Sequence, residues 1–392
     1  MLDQVFPEYA SLFSNTFGVT SKKLLLQCPT PEDMPAVSTR KLTNLLNKAS
    51  HGRFRDLVLN CGLFCFRGYC MEDKIIADLK DSYGLTFNKI TPVIGGLLNQ
   101  KWKLSTEKGE LLVKQYSIKR FRREQIERIE SALQRQIILG KNGVSCPFLW
   151  QCEGRIIRWL DDETIYMVMD FCTGKTENAD TITIPQMRSL GSTCAIMHRA
   201  FSQVPTPSVR NLPVFGGYTT ALLWGNFNSC MTKYSPDAHV EYRKALLALE
   251  PILKQLNTDF FDKFPKGFAH EDFHSGNILF DVDCVSAVID FDRNCYSYIW
   301  HDIGRAILSF ALEGNKMNVK KVCAFLEGYL QYSALTLPNI ADALRLSWCI
   351  ETPWWIRSEF LGNCDETPKR FKDEMLWLTE HWFEIDSLIC PK

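Results

Sequence analysis

Three polar side chains stand at spacings that can do chemistry. Asp272 is followed five residues later by Asn277, and Asp290 lies thirteen residues beyond that, after the apolar pair Val288-Ile289. Phoshoryl transfer from a metal-nucleotide requires such a set. One carboxylate accepts the proton of the attacking hydroxyl, while an amide and a second carboxylate hold Mg²⁺ against the phosphates. Ser275-Gly276 make a turn between Asp272 and Asn277, so base and first metal ligand can share one tight loop. Asp290 is expected from a neighbouring hairpin. Around them, His270 reads as a brace of the loop. His274 either touches substrate or caps the turn, Asp292 either reaches a second metal or bonds local backbone, and Arg293 helps to hold the loop.

The elements that position this stretch are legible upstream. Residues 71–83 make a short amphipathic helix with Ile75, Ile76 and Leu79 on one face. Strands follow at 87–93, 101–105 and 111–116, with a turn at Glu107-Lys108-Gly109. Gly95-Gly96 lie between the first two, where bare backbone N–H groups can approach phosphates, although hairpin turns use such pairs as readily. Lys114 sits in an apolar strand, and the reading favoured for it is pairing with phosphates. Residues 121–143 are expected to be helical, with Ile126, Ile129, Leu133 and Ile137 in one stripe. Glu130 falls inside that stripe. A carboxylate on a core face needs a partner, and Lys114 is the natural candidate. Residues 165–171 form a strong strand. In a two-lobed arrangement the following crossing, residues 169–172 with Asp170 and Cys172, would offer backbone groups to adenine.

Downstream text is helical. Residues 185–202 read as a helix with Pro185 near its start, carrying His198 as a packing or helix-end histidine. Residues 203–217 read as loop. Residues 238–256 read as one helix despite Pro251, and after Trp300 opens a helix, two or three more are expected. Trp348, Glu351, Trp354, Trp355 and Glu359 admit two readings: core material at helical spacing, or a set of rings and carboxylates for a cationic amine. On the second, Trp348, Glu351 and Trp355 would contact the acceptor.

Composition removes other classes. Of 392 residues, 46% are hydrophobic and 12% aromatic, enough for a large core, and the length argues for two lobes or domains. Lys+Arg and Asp+Glu are both 45, so no net field argues for nucleic acid or a membrane surface. No apolar run reaches the ~18 residues of a membrane span, and the first twenty residues lack the basic start of a secretory signal. Fifteen cysteines at irregular spacing fit free thiols in a reducing cytoplasm. Cys61, Cys65 and Cys70 lack the partners of a zinc site.

Residues 7–55, including Phe6-Pro7-Glu8-Tyr9 at their edge, Pro29-Thr30-Pro31-Glu32-Asp33 and Ser38-Thr39-Arg40-Lys41-Leu42-Thr43, resemble the middle of insertion-sequence transposases, without the catalytic parts of such an enzyme. Residues 1–70 are therefore expected to be a helical remnant fused upstream of a functional start at Met71. The alternative is a helical extension with a binding role, nucleic acid included.

Gly95-Gly96 with Asn99, Lys114, Glu130, His270-x-Asp272-x4-Asn277 and Asp290 together resemble the aminoglycoside phosphotransferase and choline kinase-like superfamily over roughly residues 80–390, most closely its spore-coat-kinase and homoserine-kinase-like bacterial branch. The resemblance implies an α+β, protein-kinase-like two-lobed fold: an antiparallel-sheet N-lobe over 71–172 and a mainly helical C-lobe over 173–392. It also implies ATP and Mg²⁺ as cofactors and the hydroxyl of a small molecule (amino alcohol or amino sugar) as acceptor. By that match Asp272 is the base, Asn277 and Asp290 bind metal, Lys114 with Glu130 orients phosphates, and Asp302 is expected to anchor the catalytic loop from inside its lobe. Protein kinases differ: Gly-x-Gly-x-x-Gly is missing here, Glu271 stands where they place Arg, Asp292 replaces their Gly, and no activation segment is recognisable. Protein substrates are disfavoured accordingly. The rival reading is a catalytically weak kinase fold kept as a binding module.

Overall fold

Ile75 and Leu79, four residues apart, fall on one helical face, and both are buried in α1 (Asp73–Asp81). The helix is two residues shorter at each end than expected over 71–83. Glu72 stays extended, its carboxylate bonded to Gln115 Nε2 at 2.7 Å and Thr164 Oγ1 at 3.1 Å. In this computed structural model residues 71–93, 99–118, 121–205, 219–360 and 366–390 are described, so the readings of residues 1–70, Gly95 and Gly96 fall outside them.

Two compact units account for the described chain: residues up to Ile126 with Leu149–Phe171, and Glu127–Phe148 with Cys172 onward. In the first, β1 (Phe87–Pro92), β2 (Gln100–Thr106), β3 (Gly109–Tyr116), β4 (Leu149–Trp150), β5 (Ile157–Trp159) and β6 (Ile165–Asp170) form one antiparallel sheet in the order β1-β2-β3-β6-β4, with β5 also on β6. The central place of β6 explains its unbroken apolar text, since both of its faces are covered. Trp102 and Leu104 alternate inward from β2 and meet Val113, Tyr166 and the α1 residues Ile75 and Leu79 in one core. Arg158 and Tyr166 fasten the other side of α1 by bonds to Asp78 at 2.8 and 2.5 Å.

Helix α2 (Arg123–Lys141) covers most of the stretch expected at 121–143, and Gly143, at φ +85°, ends it while Val144 N–H closes on the Leu139 carbonyl. From Glu127 this helix groups with the second unit, whereas a division at 172 alone would put all of it in the first. The reason is its bonding. Arg135 Nε donates to Asn294 Oδ1 at 2.6 Å, and the Val288 N–H donates to the Ser145 carbonyl at 2.9 Å just beyond the helix.

The second unit is built on α3 (Ile184–Phe201), α4 (Thr220–Lys233), α5 (Val240–Leu247), α6 (Glu250–Gln255), α7 (Trp300–Ala311), α8 (Val319–Tyr329), α9 (Leu337–Trp355), α10 (Glu366–His381) and α11 (Ile385–Ile389), with short antiparallel strand pairs between them. Two expectations need correction. The single helix over 238–256 is two, because Pro251 has no N–H for the Leu247 carbonyl and instead seats itself in the first turn of α6. Among the described residues four helices follow α7, not two or three: Asn318 caps α8 and a Thr336/Asn339 capping box starts α9, punctuation that hydrophobic counting passes over.

Helices α3 and α8 approach backbone to backbone. A Cβ on Gly191 would overlap the Phe325 carbonyl, and one on Gly328 the Arg188 carbonyl, so each glycine is the floor of the other helix's path. Gly328→Ala is expected to cost about 1–3 kcal/mol by overpacking. Chemical denaturation measures it, and an unchanged midpoint would show that the helices can part freely.

Candidate active site

Residues 270–294 enter from β7 (Lys266–Ala269) and leave through β10 (Cys295–Tyr298), and those strands pair antiparallel with Ala269 opposite Cys295. Both ends of the segment are therefore tied together before any side chain acts. Inside it, residues 275–277 take a 3₁₀ turn and lead into β8 (Ile278–Phe280), which pairs with β9 (Val285–Val288). The expected hairpin is present, and its register matters. The Ile289 N–H donates to the Asn277 carbonyl at 2.9 Å, so Asp290 emerges one residue past Asn277's partner.

Asn277 Nδ2 donates to the Asp272 carbonyl at 2.9 Å and to Asp272 Oδ2 at 2.9 Å. With its nitrogen engaged on Asp272, the amide keeps its oxygen for another partner. On Oδ1 of Asp272 stand His274 Nε2 at 3.6 Å and Arg293 at 3.4 Å. Burial alone would raise the Asp272 carboxyl, but His274 and Arg293 beside it hold it well below the usual carboxylate range. His274 caps the turn, its Nδ1 accepting the Gly276 N–H at 3.0 Å. His270 braces from below: its Nε2 meets the Ile289 carbonyl at 3.1 Å, and burial keeps its pKa low. Asp290 sits half-buried at φ 64°, and Glu271 at φ 65°. Left-handed backbone at residues with side chains costs about 1–2 kcal/mol each, strain that surrounding contacts must hold.

Those contacts are found on α7. Asp302, fully buried, accepts the His270 N–H at 2.8 Å and the Glu271 N–H at 2.9 Å, while His198 Nε2 lies 3.2 Å away. Burial would raise the Asp302 carboxyl, but His198, His270 and these backbone donors bring it down. His198, whose Nδ1 meets the Tyr329 hydroxyl at 3.0 Å, is a packing histidine as read.

Lys114 is buried in β3 of the sheet unit, 2% exposed, with the Tyr116 ring at 5.5 Å. Glu130 is half-buried on α2, within the helical unit. Asp170 closes β6 with its carboxylate accepting the Trp150 indole N–H at 2.8 Å, and Cys172 lies half-buried just beyond.

Within the acceptor trio, Trp348 needs correction. Trp348 is 1% exposed and donates to Thr379 Oγ1 at 2.8 Å, so it is core. Glu351 is already shared by His301 at 3.1 Å, Arg305 at 2.9 Å and the Trp355 indole N–H at 2.9 Å. Burial would raise its carboxyl, yet Arg305 and His301 bring it to about 2. Trp355 stacks on Phe371, centroids 4.6 Å apart. This carboxylate meets internal cations, and Trp355 stays half-buried beside it.

Residues absent from the reading of the sequence also hold the loop. Asn294 Nδ2 donates to the carbonyls of Ala132 at 2.8 Å and Phe291 at 2.7 Å, and Arg370 donates to Ser275 Oγ at 2.5 Å. Arg370 stands far downstream on α10 with no local signal. For Asn294 the signal was its place directly after the Asp290 turn.

The Phosphotransferase enzyme family (APH) matches residues 89–342, well over half of the chain. The chain belongs to that family. It is a small-molecule kinase by family. It is 27% identical over 236 residues to the homoserine kinase of Rhodopseudomonas palustris (strain BisA53), covering 60% of this chain and 67% of that one. It is 24% identical over 277 residues to the homoserine kinase of Rhizobium meliloti (strain 1021), covering 70% and 79%. In fold it is similar to an amicoumacin kinase solved with AMP-PNP and Ca²⁺, TM-score 0.55 at 17% identity over 81% of this chain and 95% of that one. A spectinomycin phosphotransferase solved with ADP and spectinomycin gives TM-score 0.53 at 17% identity, over 81% and 99%. Among the described residues of this phosphotransferase, no helix is long and apolar enough to cross a membrane.

Proposed function

We propose that this phosphotransferase moves the γ-phosphoryl group of ATP to a hydroxyl of a small molecule, with Asp272 as the base. The observation that carries the reading is the Asn277 amide, whose nitrogen bonds the Asp272 carboxylate at 2.9 Å and so couples base and metal ligand in one turn. Asn277 Oδ1 and the Asp290 carboxylate would hold Mg²⁺. Both are hard oxygen donors, and a two-residue set suits a cation that keeps waters and takes phosphate oxygens. Bound there, Mg²⁺ would neutralise charge on the phosphates. Lys114 and Glu130 would orient those phosphates, Gly95-Gly96 would offer backbone N–H groups, and residues 169–172, with Asp170 and Cys172, would meet the adenine. Asp272 then needs only to be an ionised acceptor aimed at the hydroxyl, and His274 and Arg293 keep it ionised.

The homoserine kinases it is similar to in sequence and the spectinomycin phosphotransferase it is similar to in fold support an amine-bearing alcohol as acceptor. A panel of amino alcohols, hydroxy amino acids and amino sugars, assayed for ADP release with Mg-ATP, tests this. We expect turnover with at least one member. Nucleotide binding without turnover across the panel would instead favour a kinase fold kept for binding.

A further inference from the structure

We propose that Glu271, His301, Glu351, Arg305, Glu374 and Arg370 form a largely buried ring of alternating charge that grips the Asp272 loop at both ends, with His301 as its positioning residue. The inference rests on the reading of Asp272 as the base. The path leaves the loop at Glu271, whose Oε2 lies 3.6 Å from His301 Nδ1. From His301 Nε2 it reaches Glu351 Oε1 at 3.1 Å, and from there Arg305 Nε at 2.9 Å. Arg305 Nη1 meets Glu374 Oε2 at 2.6 Å, and Glu374 Oε1 stands 3.5 Å from Arg370 Nε. Arg370 Nη1 returns to the loop at Ser275 Oγ, 2.5 Å. The two points of attachment, Glu271 and Ser275, flank Asp272.

Charge balance is what makes the ring hold. Three carboxylates alternate with two guanidinium groups and one imidazole, so the set is neutral only when His301 carries its proton. Glu271, His301, Arg305 and Glu374 are each 5% exposed or less, and a lone charge there is costly. Arg370, by contrast, keeps 36% of its side chain exposed. The joint nearest the base is electrostatic: at 3.6 Å it exceeds hydrogen-bond reach, and among the described residues neither His301 Nδ1 nor the other Glu271 oxygen, Oε1, has a hydrogen-bond partner. Neutralising either group therefore releases it. The groups facing His301 are Glu271 from the loop, Glu351 from α9 and, through Glu351, Arg305 from its own helix. Burial would lower the pKa of His301, but Glu271 and Glu351 raise it to about 9, which keeps the ring closed at neutral pH. Glu271 also holds a left-handed backbone (φ 65°), so the loop has strain to release once the grip fails.

The test is a double-substitution cycle in the full chain. His301→Gln leaves an uncompensated buried anion and is expected to lower kcat by about 10²-fold through misplacement of Asp272, with nucleotide affinity unchanged. Adding Glu271→Gln restores neutrality, and the double variant is expected to recover at least about tenfold over His301→Gln. The wild type should also lose activity above pH 9 more steeply than the double variant. Additive losses in the double variant would overturn the ring. A second readout needs no turnover: the His301 imidazole, followed by NMR in the wild type, should titrate well above 6.5, and titration below that value would also overturn it. If the wild type phosphorylates no acceptor, the functional reading fails on that assay, while the titration and a thermal-midpoint cycle still decide the ring.

Discussion

Replacing Asp272 with asparagine is expected to lower kcat by about 10²–10⁴-fold, the usual worth of a general base. Asparagine is the informative substitution because its Oδ1 can still accept the Asn277 Nδ2 bond that the carboxylate accepts at 2.9 Å. The turn then survives, and what disappears is the proton acceptor. Nucleotide affinity should stay within about threefold, since Asp272 is proposed to face the hydroxyl and not the phosphates. Asp290→Ala is the contrasting case: its loss should show as weakened Mg-nucleotide binding, measured by calorimetry with and without Mg²⁺. Equal effects of both changes on nucleotide affinity would contradict the assigned roles.

Asp302→Ala should cost about 3–5 kcal/mol of stability and abolish most activity along with it. One carboxylate here serves two backbone N–H groups and the His198 ring, all buried. Removing it strands those donors where water does not reach, and breaking a buried network from one side is among the most expensive single changes. Activity is affected because the two N–H groups belong to His270 and Glu271, the residues directly before the proposed base. Asp302→Asn should be milder, since its oxygen can still accept one donor. Acid should reproduce part of the loss. The folded Asp302 pKa is depressed, so its contribution is present above the ordinary aspartate pKa and fades as pH falls toward the folded value. Denaturant melts at neutral pH check the prediction, and an Asp302→Ala midpoint within experimental error of the wild type would refute it.

Where the sequence was legible, the reason was local. Asp272, Asn277 and Asp290 are read from spacing because a turn and a hairpin of short span bring them together, and the α1 and β6 patterns follow from period and burial. Pro251 was misread because apolar spacing continues across it while a backbone donor does not. Trp348 and Glu351 were ambiguous, because helical spacing alone does not reveal what opposes a helix face. The answers, Thr379 for one and His301 with Arg305 for the other, lie on α10 and α7.

By itself, then, the sequence determined the reaction class: a short segment carries its proposed base and proposed metal ligands within twenty residues of one another, and local backbone rules suffice to see it. Only the tertiary structure decided what holds that segment still. Beyond Asp302, which was already expected from the sequence, His301, Arg305, Glu374 and Arg370 come from α7 and α10, and their pairing depends on burial and charge balance. Those properties exist only once helices distant in sequence have packed.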